Sequence, residues 1–137
     1  MSKTLKIKIL TPTGLYLEDN VDFLNVRSEK YNLGILPEHA PLITTLAISV
    51  LKTKKDNETK SYAIGGGVMS ITKEETIILV NSIESVGEID KDRAIESKNR
   101  ALERLKHRSD YPDLDVQRAE LALARALNRL NLIDNKD

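Results

Sequence analysis

The sequence predicts a β-sandwich or closed barrel of many short strands followed by an antiparallel two-helix hairpin. Three observations predict it. Apolar residues alternate with polar ones from Leu5 to about Ile83. The spacing turns helical after Gly87, and turn residues cut the first stretch into many short runs. At 137 residues, the chain holds one modest domain plus an appendage. A single Phe and no Trp leave aliphatic residues to fill the core.

The elements follow in order. Leu5, Ile7 and Ile9 face one side of a strand, and Lys6 and Lys8 the other. Thr11-Pro12-Thr13-Gly14 reads as a turn, Leu15-Tyr16-Leu17 as a short strand, and Val21 to Arg27 as the next. Beyond a proline-bracketed loop come Leu42 to Leu46, Ile48 to Thr53, a polar hairpin tip at Lys54 to Thr59, and Tyr62 to Ile64. Gly65-Gly66-Gly67 separates that strand from Val68 to Ile71, and Thr76 to Ile83 closes the series. This gives a first domain over 1–86 and a second over 87–137. In the second, Ala94, Ile95, Ala101, Leu102 and Leu105 recur at helical spacing. Ser109-Asp110-Tyr111-Pro112 breaks the helix, and Asp113 or Asp115 caps the next. There Val116, Ala119, Leu123, Ala126, Leu127 and Leu130 form one stripe, and a short loop implies an antiparallel pair.

Charge and composition exclude several function classes. Lys and Arg balance Asp and Glu at 21 each, and 11 to 11 over residues 88–137, so no basic excess draws nucleic acid. Without cysteine, and with only His39 and His107, there is no disulfide, thiolate nucleophile or zinc set. No apolar run approaches the roughly 20 residues that span a bilayer. Met1 to Lys8 lacks the apolar core of a signal peptide, so the chain reads as cytosolic and soluble.

Two features carry chemistry. The run Gly34-Ile35-Leu36-Pro37-Glu38-His39-Ala40-Pro41-Leu42 sets a short polar centre between two prolines, which makes a stiff corner suited to docking. Glu38-His39 also has the composition of an acid–base pair, but no Ser or Cys lies in a nucleophile elbow. A loop histidine bonded to nearby backbone is the plainer account. Gly65-Gly66-Gly67 is no phosphate loop, because no Lys-Ser/Thr follows and the next run is a strand.

The second feature is arginine. Only Arg27 lies in the strand-rich half, whereas Arg93, Arg100, Arg104 and Arg118, Arg125, Arg129 repeat the spacing i, i+7, i+11. Each trio runs along one helix face. Two readings stand. Charged faces on exposed helices hold solvent and form i,i+4 pairs such as Glu96–Arg100. Alternatively, the two guanidinium rows converge on a phosphate or on a partner's carboxylates.

Gly34 to Leu42, the opening Leu10-Thr11-Pro12-Thr13-Gly14-Leu15 and the terminal hairpin together resemble the ε subunit of bacterial F-type ATP synthase, over essentially the whole chain. The resemblance implies a ten-stranded sandwich bound to the γ subunit near the c-ring, with Gly34, Leu36, Pro37, Glu38, His39 and Pro41 at the partner surface. It implies a non-catalytic rotor subunit, peripheral on the cytoplasmic face of the cell membrane. The hairpin then brakes ATP hydrolysis by extending along γ toward the αβ head.

Ile89-Asp90-Lys91-Asp92-Arg93-Ala94 is similar to the motif by which some members bind ATP in the compact hairpin. That likeness assigns the adenine to Asp90, with Ile89 and Ala94 beside it, Glu84 as a further acidic contact, and Arg93, Arg100, Arg125 and Arg129 to the nucleotide. ATP is then a regulatory ligand, and no cofactor or metal is required. Asp90 also reads as a plain helix N-cap. The competing reading of the whole chain is a stand-alone module that binds another protein by helix packing.

Overall fold

A computed structural model describes residues 3–135. They divide into two compact units, the first ending at Ser85 and the second starting at Val86. The first contains eight strands: β1 (Leu5–Thr11), β2 (Gly14–Val21), β3 (Phe23–Arg27), β4 (Asn32–Ile35), β5 (Leu42–Lys55), β6 (Glu58–Ile71), β7 (Thr76–Val80) and β8 (Ile83–Ser85). They form one hydrogen-bonded sheet in the order β2-β1-β7-β6-β5-β3-β4, with β8 also on β6.

The ten strands that the resemblance implies are eight here: β5 and β6 each run unbroken for 14 residues where the sequence suggested two short strands, β4 arises where none was read, and the run Thr76 to Ile83 divides between β7 and β8. Both strands pass through a bend. Their pairing proceeds from Leu46↔Gly67 to Ile48↔Gly65 and skips Ala47 and Gly66. Gly66 has φ +91, a conformation L side chains rarely adopt, and a methyl group on Gly67 would drive into the Leu79 carbonyl oxygen. On one side of the bend β6 pairs with β7, on the other with β8. The β7–β8 link crosses there: Asn81 N–H donates to Gly66 O at 3.0 Å, and Gly65 N–H donates to Ser82 O at 2.9 Å.

The bend folds the sheet into two layers. One holds β2, β1, β7 and the near halves of β6 and β5; the other holds β4, β3, the far halves of β5 and β6, and β8. Ile7, Ile9 and Ile78 from the first layer and Leu24, Val26, Ile35 and Leu51 from the second are all fully buried in one core. Burial stabilises each such side chain by about 1.5–3 kcal/mol. A bulge in β2, where the β1 register shifts between Ile9 and Leu10, lets the consecutive Tyr16 and Leu17 both pack on that core. Tyr16 meets Tyr62 edge to face, with ring centroids 6.1 Å apart. The β5–β6 turn is tight, with Asp56 and Asn57 both at positive φ as a two-residue hairpin loop requires.

The second unit contains α1 (Lys91–Lys106) and α2 (Val116–Asp134), joined through a 3-10 turn at Arg108–Asp110. Each helix has an aspartate cap. Asp90 Oδ1 accepts from Arg93 N–H and Asp115 Oδ1 from Arg118 N–H, both at 3.1 Å. Of the two candidate caps for α2, the structure uses Asp115. The helices are antiparallel, since Lys91 Nζ at the start of α1 lies 3.9 Å from Asp134 Oδ1 at the end of α2. The buried residues are Ala94 and Ala101 on α1, and Ala119, Ala126 and Leu132 on α2. Leu102 and Leu127, expected in the apolar stripes, are instead 45% and 48% exposed, because the small alanines take the tightest positions.

Candidate docking surface and hairpin groove

Ile35 anchors the proline loop by filling the core at the end of β4. Gly34 lies under the Phe23 ring, where a Cβ would approach within 2.9 Å. Leu36 then turns outward, 60% exposed, and Glu38 adopts φ 67, a left-handed conformation that costs a non-glycine residue about 1–2 kcal/mol. His39 N–H donates to Leu36 O at 3.2 Å. Its Nδ1 lies 2.6 Å from Ala40 O, and since a carbonyl only accepts, Nδ1 carries the proton. Glu38 Oε1 accepts from Lys3 Nζ at 2.7 Å. Glu38 and His39 are thus engaged with other groups and not with each other. Pro37 is half-buried and Pro41 exposed.

Beside this loop lies a surface the sequence reading missed. Register places Val68 opposite Leu79 on β7 and opposite Thr45 on β5, two residues along from Ile43. Leu79 pairs with Leu10 on β1, and Leu10 with Leu15 on β2. All lie on the outer face of the first layer, where Ile43 is 75%, Leu15 56%, Leu79 51% and Val68 41% exposed. Lys6, Lys8, Glu18 and Glu75 flank them as a loose charge network at 3.6–4.0 Å. The signal was present in Thr76–Val80, which is apolar at outward as well as inward positions.

The hairpin candidates are dispersed. Glu84 sits half-buried on β8, opposite Ala63, in the first unit. In the second, Ile89 N–H donates to Val86 O at 3.4 Å, and Ala94 is buried. Asp90, exposed, commits one carboxylate oxygen to its cap. With equal rise on both helices, the Lys91–Asp134 register sets Arg100 level with Arg125 and Arg93 within about one turn of Arg129. Arg93 and Arg100 are exposed, and Arg125 and Arg129 half-buried. Arg100 Nη2 pairs with Glu96 Oε1 at 3.6 Å, as the solvated-face reading expects. A groove of about 710 Å³ opens at the loop end of the hairpin, and its guanidinium groups are Arg100, Arg104 and Arg118. Arg104 and Arg118 belong to the two arginine rows but not to the residues expected around a nucleotide.

No helix among the described residues is long and apolar enough to cross a membrane. Comparison with known proteins agrees with the two-unit division. Residues 4–86 match the family model described as the β-sandwich domain of the ATP synthase delta/epsilon chain. Residues 88–134 match its long α-helix domain. The ATP synthase epsilon chain of Bacillus velezensis is 42% identical over 133 residues, covering 97% of this chain and 99% of its own length. That of Desulforamulus reducens is 35% identical over 130 residues, covering 95% and 97%. Among solved structures, a chain of the Euglena gracilis mitochondrial ATP synthase OSCP/F1/c-ring assembly shares the fold. Its TM-score is 0.80 at 18% identity, over 95% of this chain and 81% of that one. Family models over both units and relatives matched nearly end to end place this chain in the delta/epsilon family, among the epsilon chains of ATP synthase.

Proposed function

We propose that this chain is the non-catalytic central-stalk subunit of an F-type ATP synthase, with a sandwich that docks on the rotor and a hairpin that regulates hydrolysis. The observation that carries the docking role is the exposed aliphatic face of Leu15, Ile43, Val68 and Leu79 beside the rigid Leu36–His39 corner. Contiguous apolar surface of this kind marks a protein contact. Its partners are the γ subunit and the c-ring, and the proline loop adds Leu36, Pro37, Glu38 and His39 to the contact. The assembly sits peripherally on the cytoplasmic face of the membrane. Co-purification with γ tests this. Ile43→Asp is expected to weaken capture by tenfold or more while leaving the fold intact. Unchanged capture would exclude this face as the contact.

The hairpin acts as a two-state brake. In the extended form, its arginine rows reach the acidic surface of the αβ head. In the compact form it binds ATP through Asp90, Ile89, Ala94 and the arginines. ATP shifts the balance only by preferring the compact state. At 100 times its dissociation constant it contributes about 2.7 kcal/mol, enough to invert a modest preference for extension. The chain binds nucleotide without cleaving it. Calorimetric titration of ATP into the full chain tests the reading. Arg93→Ala is expected to abolish both binding and the ATP dependence of inhibition; if both persist, the nucleotide-gated brake falls.

A further inference from the structure

We propose that the Glu38 carboxylate is the recognition group of the proline corner: it takes an arginine from a protruding loop of the rotor partner, and Lys3 holds that place until the partner arrives. This rests on the rotor reading of the sandwich and names the chemistry of that contact.

The backbone at Glu38 carries the inference. His39 N–H donates to Leu36 O at 3.2 Å, Pro37 is the second residue of the turn, and Glu38, the third, has φ 67. That is the pattern of a type II turn, whose third position favours Gly or Asn. Asp56 and Asn57, the other non-glycine residues at positive φ among the described residues, are short polar side chains that tolerate it. The Glu38 carboxylate instead accepts from Lys3 Nζ at 2.7 Å, 35 residues away in sequence. The side chains of that pair are 68% and 70% exposed. Solvent screens such a pair, so it does not offset the strain. A strained residue that no internal contact compensates points to a contact outside the chain.

Glu38 and Lys3 line a cleft of about 410 Å³ together with the turn between β6 and β7. Both sides are stiff. Thr72 Oγ1 donates to Glu75 O at 2.9 Å and accepts from Glu75 N–H at 3.2 Å, and Ala40 O holds His39 through Nδ1. Glu75 turns to Lys8 and Lys6, at 3.6 and 4.0 Å, whereas exposed Glu74 has no ion-pair partner among the described residues. Along the cleft, the carboxylates of Glu38, Glu74 and Glu75 balance the ammonium groups of Lys3, Lys6 and Lys73. Once Lys3 swings out, one net negative charge is left for an incoming cation. Arginine fits best, because its planar fork makes two parallel bonds to a carboxylate where the Lys3 ammonium makes one.

The test is capture of the full chain by a purified assembly of γ and the c-ring, at about 0.05 M and about 0.5 M salt. At low salt, Glu38→Gln is expected to weaken capture about tenfold, and Lys3→Gln, which removes the competitor, to tighten it about threefold. The double variant should match Glu38→Gln alone, because Lys3 matters only while Glu38 is charged. High salt should erase these differences. Glu38→Gly should melt at a higher temperature than wild type yet bind as weakly as Glu38→Gln, which separates the fold from the contact. A rotor assembly treated with phenylglyoxal, which caps arginine and spares lysine, should no longer distinguish wild type from Glu38→Gln; a surviving difference overturns arginine as the partner group. Capture unchanged by Glu38→Gln, or weakened by Lys3→Gln, overturns the exchange while the rotor reading stands. A Glu38→Gln loss that persists at high salt overturns the ionic contact. No capture of wild type at either salt overturns both readings.

Discussion

The two units of this chain solve the burial problem in opposite ways. In the sandwich, every member of the central core cluster falls between Leu5 and Ile83, and most are Ile, Leu or Val. In the hairpin, four of the five buried residues are alanines. A buried alanine contributes far less transfer free energy than a buried isoleucine, because the gain scales with apolar area removed from water. The sandwich therefore has stability to spare for a strained loop at Glu38 and an exposed aliphatic face. The hairpin depends on its caps and on alanine propensity, with far less buried apolar area to hold it. The docking platform and movable regulator proposed above would need that contrast.

The largest expected effect tests the rigid side. Ile78→Ala removes a fully buried side chain and is expected to cost the sandwich about 2–5 kcal/mol, read as a lower urea midpoint. A loss below 1 kcal/mol would mean the core is looser than its packing. Gly67→Ala comes next, at about 1–3 kcal/mol, since the added methyl meets backbone at the bend and not a movable side chain. If it proves neutral, the bend is not what sets the two layers.

On the hairpin side, Asp90→Ala and Asp115→Ala should each cost about 1 kcal/mol of helix stability, with helical ellipticity melting earlier than the sheet. Simultaneous melting of both units would break the comparison. Thr76→Val should go the other way. Thr76 is fully buried and its Oγ1 has no hydrogen-bond partner, so an isosteric methyl is expected to stabilise the sandwich by about 1 kcal/mol.

The smallest effect is electrostatic. The hydrogen bond from Lys55, at 2.9 Å, holds the Asp19 carboxyl below its ordinary value of 3.8, against a smaller opposing effect of burial. A depressed folded pKa contributes stability that is present above the unfolded value and lost as pH falls through the folded one. Asp19→Asn should therefore flatten the stability profile slightly below about pH 4. An unchanged acid limb would show the exposed pair to be energetically silent.

Local chemistry made much of this molecule legible in the sequence. The change from period two to helical spacing separated the units, aspartates marked both helix starts, and prolines fixed the corner around Glu38 and His39. Each of these acts over a few residues, through backbone sterics or a single hydrogen bond. Tertiary structure decided the rest. Whether Leu42–Leu46 and Ile48–Thr53 are two strands or one bent strand depends on partners from β3 and β6 that are distant in sequence. The aliphatic outer face exists only because cross-strand register aligns Leu15, Ile43, Val68 and Leu79. Likewise, the row spacing of the arginines was readable, but which of them share a groove depended on how α1 and α2 pack, a long-range choice that no local pattern encodes.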